Sequence, residues 1–155
     1  MKAVHQEKIA QPKELISVLN RLVETCRDGQ NGFQDAASNL ASPELKTFCL
    51  EQSRQRAQYI GELQQTVLQL GGDPETSGTA AAVLHRAWMD LKSSFGAGDK
   101  AIMSAVEKGE DAALEQYDSA IKEGLPVNLR PLIERQYQSV KQVHDQVKVM
   151  RDRLK

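Results

Sequence analysis

What this chain lacks narrows its possibilities first. No stretch of its 155 residues approaches the roughly 20 consecutive apolar residues of a membrane-spanning helix. The opening MKAVHQEKIAQPKEL also has no apolar core of the kind that secretory leaders carry. The expectation is a soluble protein that stays in the cytoplasm, with no membrane partner. An excess of charge is missing too: 20 basic and 21 acidic residues leave a formal net charge of −1. Nothing in that balance attracts a phosphate backbone, so nucleic acid is not expected as a partner. Gly-rich phosphate loops, Cys-x-x-Cys pairs and nucleophile–base motifs are all absent, and no enzyme activity or cofactor is expected.

What the chain does have is four runs of apolar residues stepping by three and four, the spacing of a helix seam packed in a bundle. The first is Leu15, Leu19, Leu22, Cys26, Gly29, Phe33, Ala36 and Leu40, and the second runs from Leu45 through Cys49, Gln52, Arg56, Tyr59 and Leu63 to Leu70. The third is Met103, Val106, Glu110, Ala113, Tyr117 and Ala120, and the fourth runs from Leu129 through Ile133, Gln136, Val140 and Val147 to Leu154. Ser42-Pro43-Glu44 reads as a cap, first-turn proline and first-turn acid, and Gly71-Gly72-Asp73-Pro74 as a stop. Asp99 reads as the cap of the third long helix. The long helices are therefore expected over about 12–40, 43–70, 99–123 and 127–153, in a single domain spanning 1–155. A shorter helix over about 79–95, starting at Ser77-Gly78-Thr79, carries Leu84, Trp88, Leu91 and Phe95.

That shorter helix decides the topology. About 25 residues separate Leu70 from the third long helix, enough to climb the height of the bundle and set the second and third long helices parallel. The expected fold is all-α: a ferritin-like four-helix bundle with a helical crossover between the second and third long helices. Cys26 and Cys49 fall in consecutive antiparallel helices but differ in height by roughly 12 Å, which argues against a disulfide.

Shifting the sequence by 84 residues places Leu22 on Val106, Phe33 on Tyr117, Leu45 on Leu129 and Gln52 on Gln136. Two related helical hairpins follow. The same shift places Cys26 on Glu110 and Arg56 on Val140, so these positions share one central layer, with Gln52 and Gln136 about a turn away. In ferritin-like carboxylate proteins such a layer holds two metals, through glutamates and Glu-x-x-His pairs. No Glu-x-x-His occurs here, because Lys2, Ala82 and Lys141 stand three positions before the histidines. Only Glu110 is a fitting ligand on the inward stripe. The expectation is that Arg56 fills the space of a metal centre and pairs with Glu110, with Gln52, Gln136 and Tyr59 or Tyr117 satisfying what remains. Of the acidic run Glu107, Glu110, Asp111, Glu115 and Asp118, only Glu110 is expected to point inward. His144 is expected to be half exposed, His85 to serve packing or capping, and Trp88 to anchor the crossover helix.

SPELKTFCLEQSRQRAQYIGELQ, LGGDPETSGTAAAVLHRAWMDLK, GEDAALEQY and LIERQYQSVKQVHDQVK resemble a bacterial domain-of-unknown-function family of about this length, described as ferritin-like four-helix bundles. The resemblance runs from about residue 14 to 152. It implies a ferritin-like fold and a bacterial cytoplasmic setting loosely associated with stress responses, and brings no established activity. It also implies that Glu110, ahead of Tyr117, matches a ligand carboxylate, whereas Cys26 replaces the equivalent carboxylate ahead of Phe33. The expected function is a structural or binding protein in a stress-related setting, acting as a homodimer. Two alternatives stand beside it: a degenerate metal protein using Glu110, and a small-molecule or lipid binder with its site under the crossover helix.

Overall fold

A computed structural model describes residues 12–74 and 82–155, with side chains of the later segment described from residue 87 onward. Among the described residues there are five helices and no strand: α1 Pro12–Asn39, α2 Pro43–Gln69, α3 Ala82–Ser94, α4 Asp99–Lys122 and α5 Arg130–Asp152. The Ser77-Gly78-Thr79 start expected for the crossover helix lies outside the described residues.

Local chemistry sets the helix ends. Ser42 is extended and its hydroxyl accepts from Leu45 N at 3.3 Å, satisfying one of the four amides that a helix start leaves open. Pro43 follows where a missing N–H does no harm. At the other ends of α2 and α4 the chain turns through Gly71 (φ 83°) and Gly124 (φ 87°), a left-handed geometry that a side chain would strain. One expected cap and one expected boundary are corrected. Asp99 is the first residue of α4 rather than its cap; its carboxylate instead accepts from Ala41 N (2.8 Å) and Ser42 N (3.0 Å), tying the α1–α2 turn to the start of α4. α5 begins at Arg130 rather than near 127, because residues 127–129 form a turn in which both Leu129 N and Arg130 N bond to Pro126 O.

Contacts between helices fix their directions. Ser53 Oγ donates to Gln30 O and Lys46 Nζ to Ala37 O, so α1 and α2 run antiparallel. α1 and α4 are antiparallel too, since Arg21 meets Glu123 at one end while Ala41 and Ser42 meet Asp99 at the other. α5 runs back along α4. α2 and α4 are consequently parallel and lie diagonally across the bundle, joined by the connection that contains α3. α5 has α4 as its close backbone neighbour; α2 and α5 stand further apart, and long side chains bridge them.

α3 lies on the α1 and α4 side. Its anchor is Trp88, 8% exposed, whose indole lies in a slot made by two helix-interior glycines. A Cβ on Gly32 would come within 2.3 Å of the ring, and one on Gly109 within 2.2 Å. Trp88 meets Phe33 edge to face at 5.7 Å, carrying the contact of the crossover helix into the core. This cover accounts for the burial of Gly32; α1 also buries Val18, Val23, Glu24, Thr25 and Ala37 beyond its expected stripe.

The slot can be tested by two alanines. Gly109→Ala should lower stability by about 1–3 kcal/mol, because the added methyl must displace a packed ring. Gly61→Ala, also inside a helix but with nothing within 4 Å of its would-be Cβ, should raise stability by about 0.5–1 kcal/mol. Urea midpoints moving in opposite directions are the expected outcome.

Candidate functional site: the polar centre of the bundle

Apolar packing in the core falls into two clusters. One contains Leu19, Leu22, Leu63 and Ile133, the other Leu45, Met103, Val106 and Val147. Between them lie Arg56 from α2 and Glu110 from α4, 1% and 0% exposed. Their side chains meet across the diagonal in a two-pronged contact, Nη1 to Oε1 at 2.8 Å and Nη2 to Oε2 at 2.6 Å. This matches the rigid fork of a guanidinium to both oxygens of a carboxylate. The Phe33 ring lies 5.3 Å from Arg56 Cζ and adds a cation–π contact. Gly29 supplies the room: a Cβ there would sit 2.7 Å from Nη1. Burial alone would lower the Arg56 pKa, but the charge and hydrogen bonds of Glu110 raise it above its ordinary value, and the group stays cationic.

Cys26 belongs to a second system. Glu62 at the α2 rim accepts from Gln136 Nε2 at 2.9 Å, and the amide oxygen of Gln136 then accepts from the Tyr117 hydroxyl at 2.8 Å. With its one proton committed, the Tyr117 oxygen accepts from the Cys26 thiol at 3.1 Å. This chain touches all four long helices: α1 at Cys26, α4 at Tyr117, α5 at Gln136 and α2 at Glu62. The direction of its bonds requires a protonated thiol. Burial pushes the Cys26 pKa up to about 11 against the opposing charge of Arg56, and burial also raises Tyr117 well above its ordinary value.

The expected central layer therefore resolves into two parts. Cys26 lies about one turn before Gly29, the position on α1 that faces the Arg56 guanidinium. Gln136 does not complete the ion pair as expected; Tyr117 and Glu62 hold it instead. Gln52 does not complete it either: it is buried, and its Oε1 has no hydrogen-bond partner among the described residues. The Arg56–Glu110 contact forms without either amide. Sequence reading missed Glu62, whose rim position beside Leu63 gave no sign of a partner on α5. It also missed the Gly32 and Gly109 slot, although a glycine inside a helix carries a penalty of up to about 1 kcal/mol against alanine and is itself a signal.

The surface histidine differs from expectation as well. The His144 side chain is 16% exposed, not half exposed, and it packs against Glu107 and Asp111 of α4. Glu107 likewise leaves the solvated face assigned to it, because Arg151 and His144 draw it into the α4–α5 seam. The side chain of His85 lies outside the described residues.

Chemically, the centre offers one carboxylate whose two oxygens are taken by a guanidinium, and one thiol held protonated. That set fits two divalent metals poorly, since each needs several deprotonated donors. Among the described residues no three His, Cys, Asp or Glu side chains form a group that could hold a metal ion. Nor is any described helix long and apolar enough to cross a membrane. Residues 14–123 match the family described as a domain of unknown function (DUF2383), and the chain belongs to that family. No curated protein matches it.

Two outcomes follow from the polar centre. Glu110→Ala should destabilise by about 3–5 kcal/mol because it strands a buried guanidinium, while Arg56→Met combined with Glu110→Leu should fall much closer to wild type; urea unfolding of all three proteins measures both. Cys26 and Cys49 are both free and buried, with Cys49 pushed up to about 12 by burial and, secondarily, by Glu110. Neither thiol should react with an aromatic disulfide reagent at pH 8 in the native protein, and both should react in guanidinium chloride.

Proposed function

We propose that this member of the DUF2383 family is a ferritin-like bundle of the bacterial cytoplasm that works without a dimetal centre, as a non-enzymatic structural or binding protein in homodimeric form. The observation that carries the reading is the Arg56–Glu110 pair. Ferritin-like carriers use carboxylates at mid-bundle to neutralise metal cations. Here the cation neutralised by Glu110 is a guanidinium supplied by the chain itself. The parallel α2 and α4, with a helical connection between them, also support the ferritin-like reading, because a one-crossover bundle requires that arrangement.

A second reading has its own support. A cavity of about 330 Å³ opens between α1 and α3, lined by Gly32, Asp35, Trp88, Met89 and Lys92 among others. Met89 is 56% exposed. An aromatic floor with polar walls suits a small amphipathic molecule, which is the alternative of a binder under the crossover helix.

Metal analysis of protein purified without chelator tests the leading reading. Iron, manganese and zinc should all be far below one equivalent, and Glu110→Ala should change nothing; metal that is present in wild type and lost in the variant would favour a degenerate metal protein using Glu110. Sedimentation should give a dimer, and a monomer at high micromolar concentration would remove that part. A ligand retained in native mass spectrometry and lost in Trp88→Ala would favour the cavity.

A further inference from the structure

The seam between α4 and α5 holds a cluster that the polar centre does not use. His144 Nε2 lies 2.7 Å from Asp111 Oδ1 and 3.6 Å from Glu107 Oε2, while its Nδ1 lies 3.1 Å from Asp145 Oδ1. Ionised carboxylates only accept hydrogen bonds. A ring with a carboxylate at each nitrogen therefore has to donate from both, and only the imidazolium does so. Removing one proton leaves a lone pair facing a carboxylate, either across the seam at Asp111 or along α5 at Asp145.

The surrounding charges sharpen this dependence. From α4 the facing groups are Glu107 and Asp111; from α5 they are Asp145, Lys141 on Asp145 at 3.6 Å, and Arg151 on Glu107. Among the described residues, no charged group of α1, α2 or α3 forms an ion pair with His144. Val143 and Val147, on either side of it along α5, pack into the cluster that contains Met103 and Val106. α2 stands apart from α5, and α4 is the close backbone neighbour of this half of the helix.

We propose that His144 is a pH-sensitive clasp, fastening the C-terminal half of α5 to α4 while it is protonated and releasing it as pH rises. Burial opposes the charge on the ring, but the hydrogen bond to Asp145 and the charges of Asp111 and Glu107 outweigh burial and hold its pKa above the ordinary 6.5. A raised pKa in the folded state means that the clasp's contribution is fully present below about 6.5 and is lost as pH climbs through the folded value. Asp111 and Asp145 are largely exposed, so the effect is largest at low salt.

The test uses the full chain at low ionic strength. Histidine ring NMR, with His144 assigned by comparison with His144→Gln, should give a titration midpoint above 6.5 that moves down in Asp111→Asn. Amide exchange of residues 143–151, corrected for intrinsic pH dependence, should lose protection above that midpoint. The expected loss is about tenfold in the opening equilibrium for each pH unit separating folded and unfolded titrations. His144→Gln should start with lower protection and show no such step, and Asp145→Asn should weaken the step in a chain that keeps its histidine. A His144 midpoint at or below 6.5, or a protection step that survives in His144→Gln, would overturn the proposal.

Discussion

Two opposite charges in the middle of an apolar core set the terms for everything around them. Removing a guanidinium and a carboxylate from water costs several kcal/mol per ion, which good geometry between the two must offset. Arg56 and Glu110 meet that demand by facing each other across the bundle diagonal with both prongs engaged. Such a contact forms only when α2 and α4 have one height and one rotation relative to each other. Apolar packing tolerates a sliding helix better than a pair of charges does, so the pair specifies register more than it adds stability. Gly29 and Phe33 adapt α1 to the same requirement, one by leaving space for the guanidinium and the other by placing a ring near it.

From that pair a line of contacts runs outward to the crossover helix. The Arg56 guanidinium lies near Phe33, Phe33 meets Trp88, and Trp88 sits between Gly32 and Gly109. Gly109 is the residue before Glu110, so the backbone that brings the carboxylate inward also opens the slot for the indole. The two features constrain the same turn of α4. A side chain at 109 would push the anchor of α3 outward and strain the turn that carries the buried acid, which couples the placement of the crossover helix to that of the ion pair.

Much of this was legible in the sequence because helical spacing reports burial directly. The stripe from Leu45 to Leu70 placed Arg56 inside by phase alone, and the 84-residue repeat put Glu110 at the same height. Phase gives no information on partners. Gln52 and Gln136 occupy equivalent stripe positions, yet Gln136 links Tyr117 to Glu62 in a four-helix hydrogen-bond chain, whereas the Gln52 amide oxygen has no partner among the described residues. The difference lies in what faces them, and Glu62 reaches Gln136 only because α2 and α5 run antiparallel at a separation that long side chains can span. His144 escaped the stripe argument for a related reason. A residue beside the seam looks half exposed on a helical wheel, but carboxylates from the neighbouring helix can fold over it, as Glu107 and Asp111 do.

The same reasoning separates α5 from the other long helices. α1 is sandwiched between α2, α4 and α3, and its position follows from apolar contact on more than one face. α5 buries only Ile133, Gln136, Val140, Val143 and Val147, and has α4 as its close neighbour. Five inward residues on one face define a direction of approach and leave sliding along the axis weakly opposed. Polar contacts supply that axial constraint at two heights: Gln136 between Tyr117 and Glu62 in one half, and His144 with Arg151 against Glu107 and Asp111 in the other. The first is buried at Tyr117 and Gln136, and its donors, a hydroxyl and an amide, are neutral. The second lies at the surface and includes a histidine. The two ends of α5 are therefore fastened by chemistries that respond differently to the proton, and the C-terminal end is the one that pH can loosen.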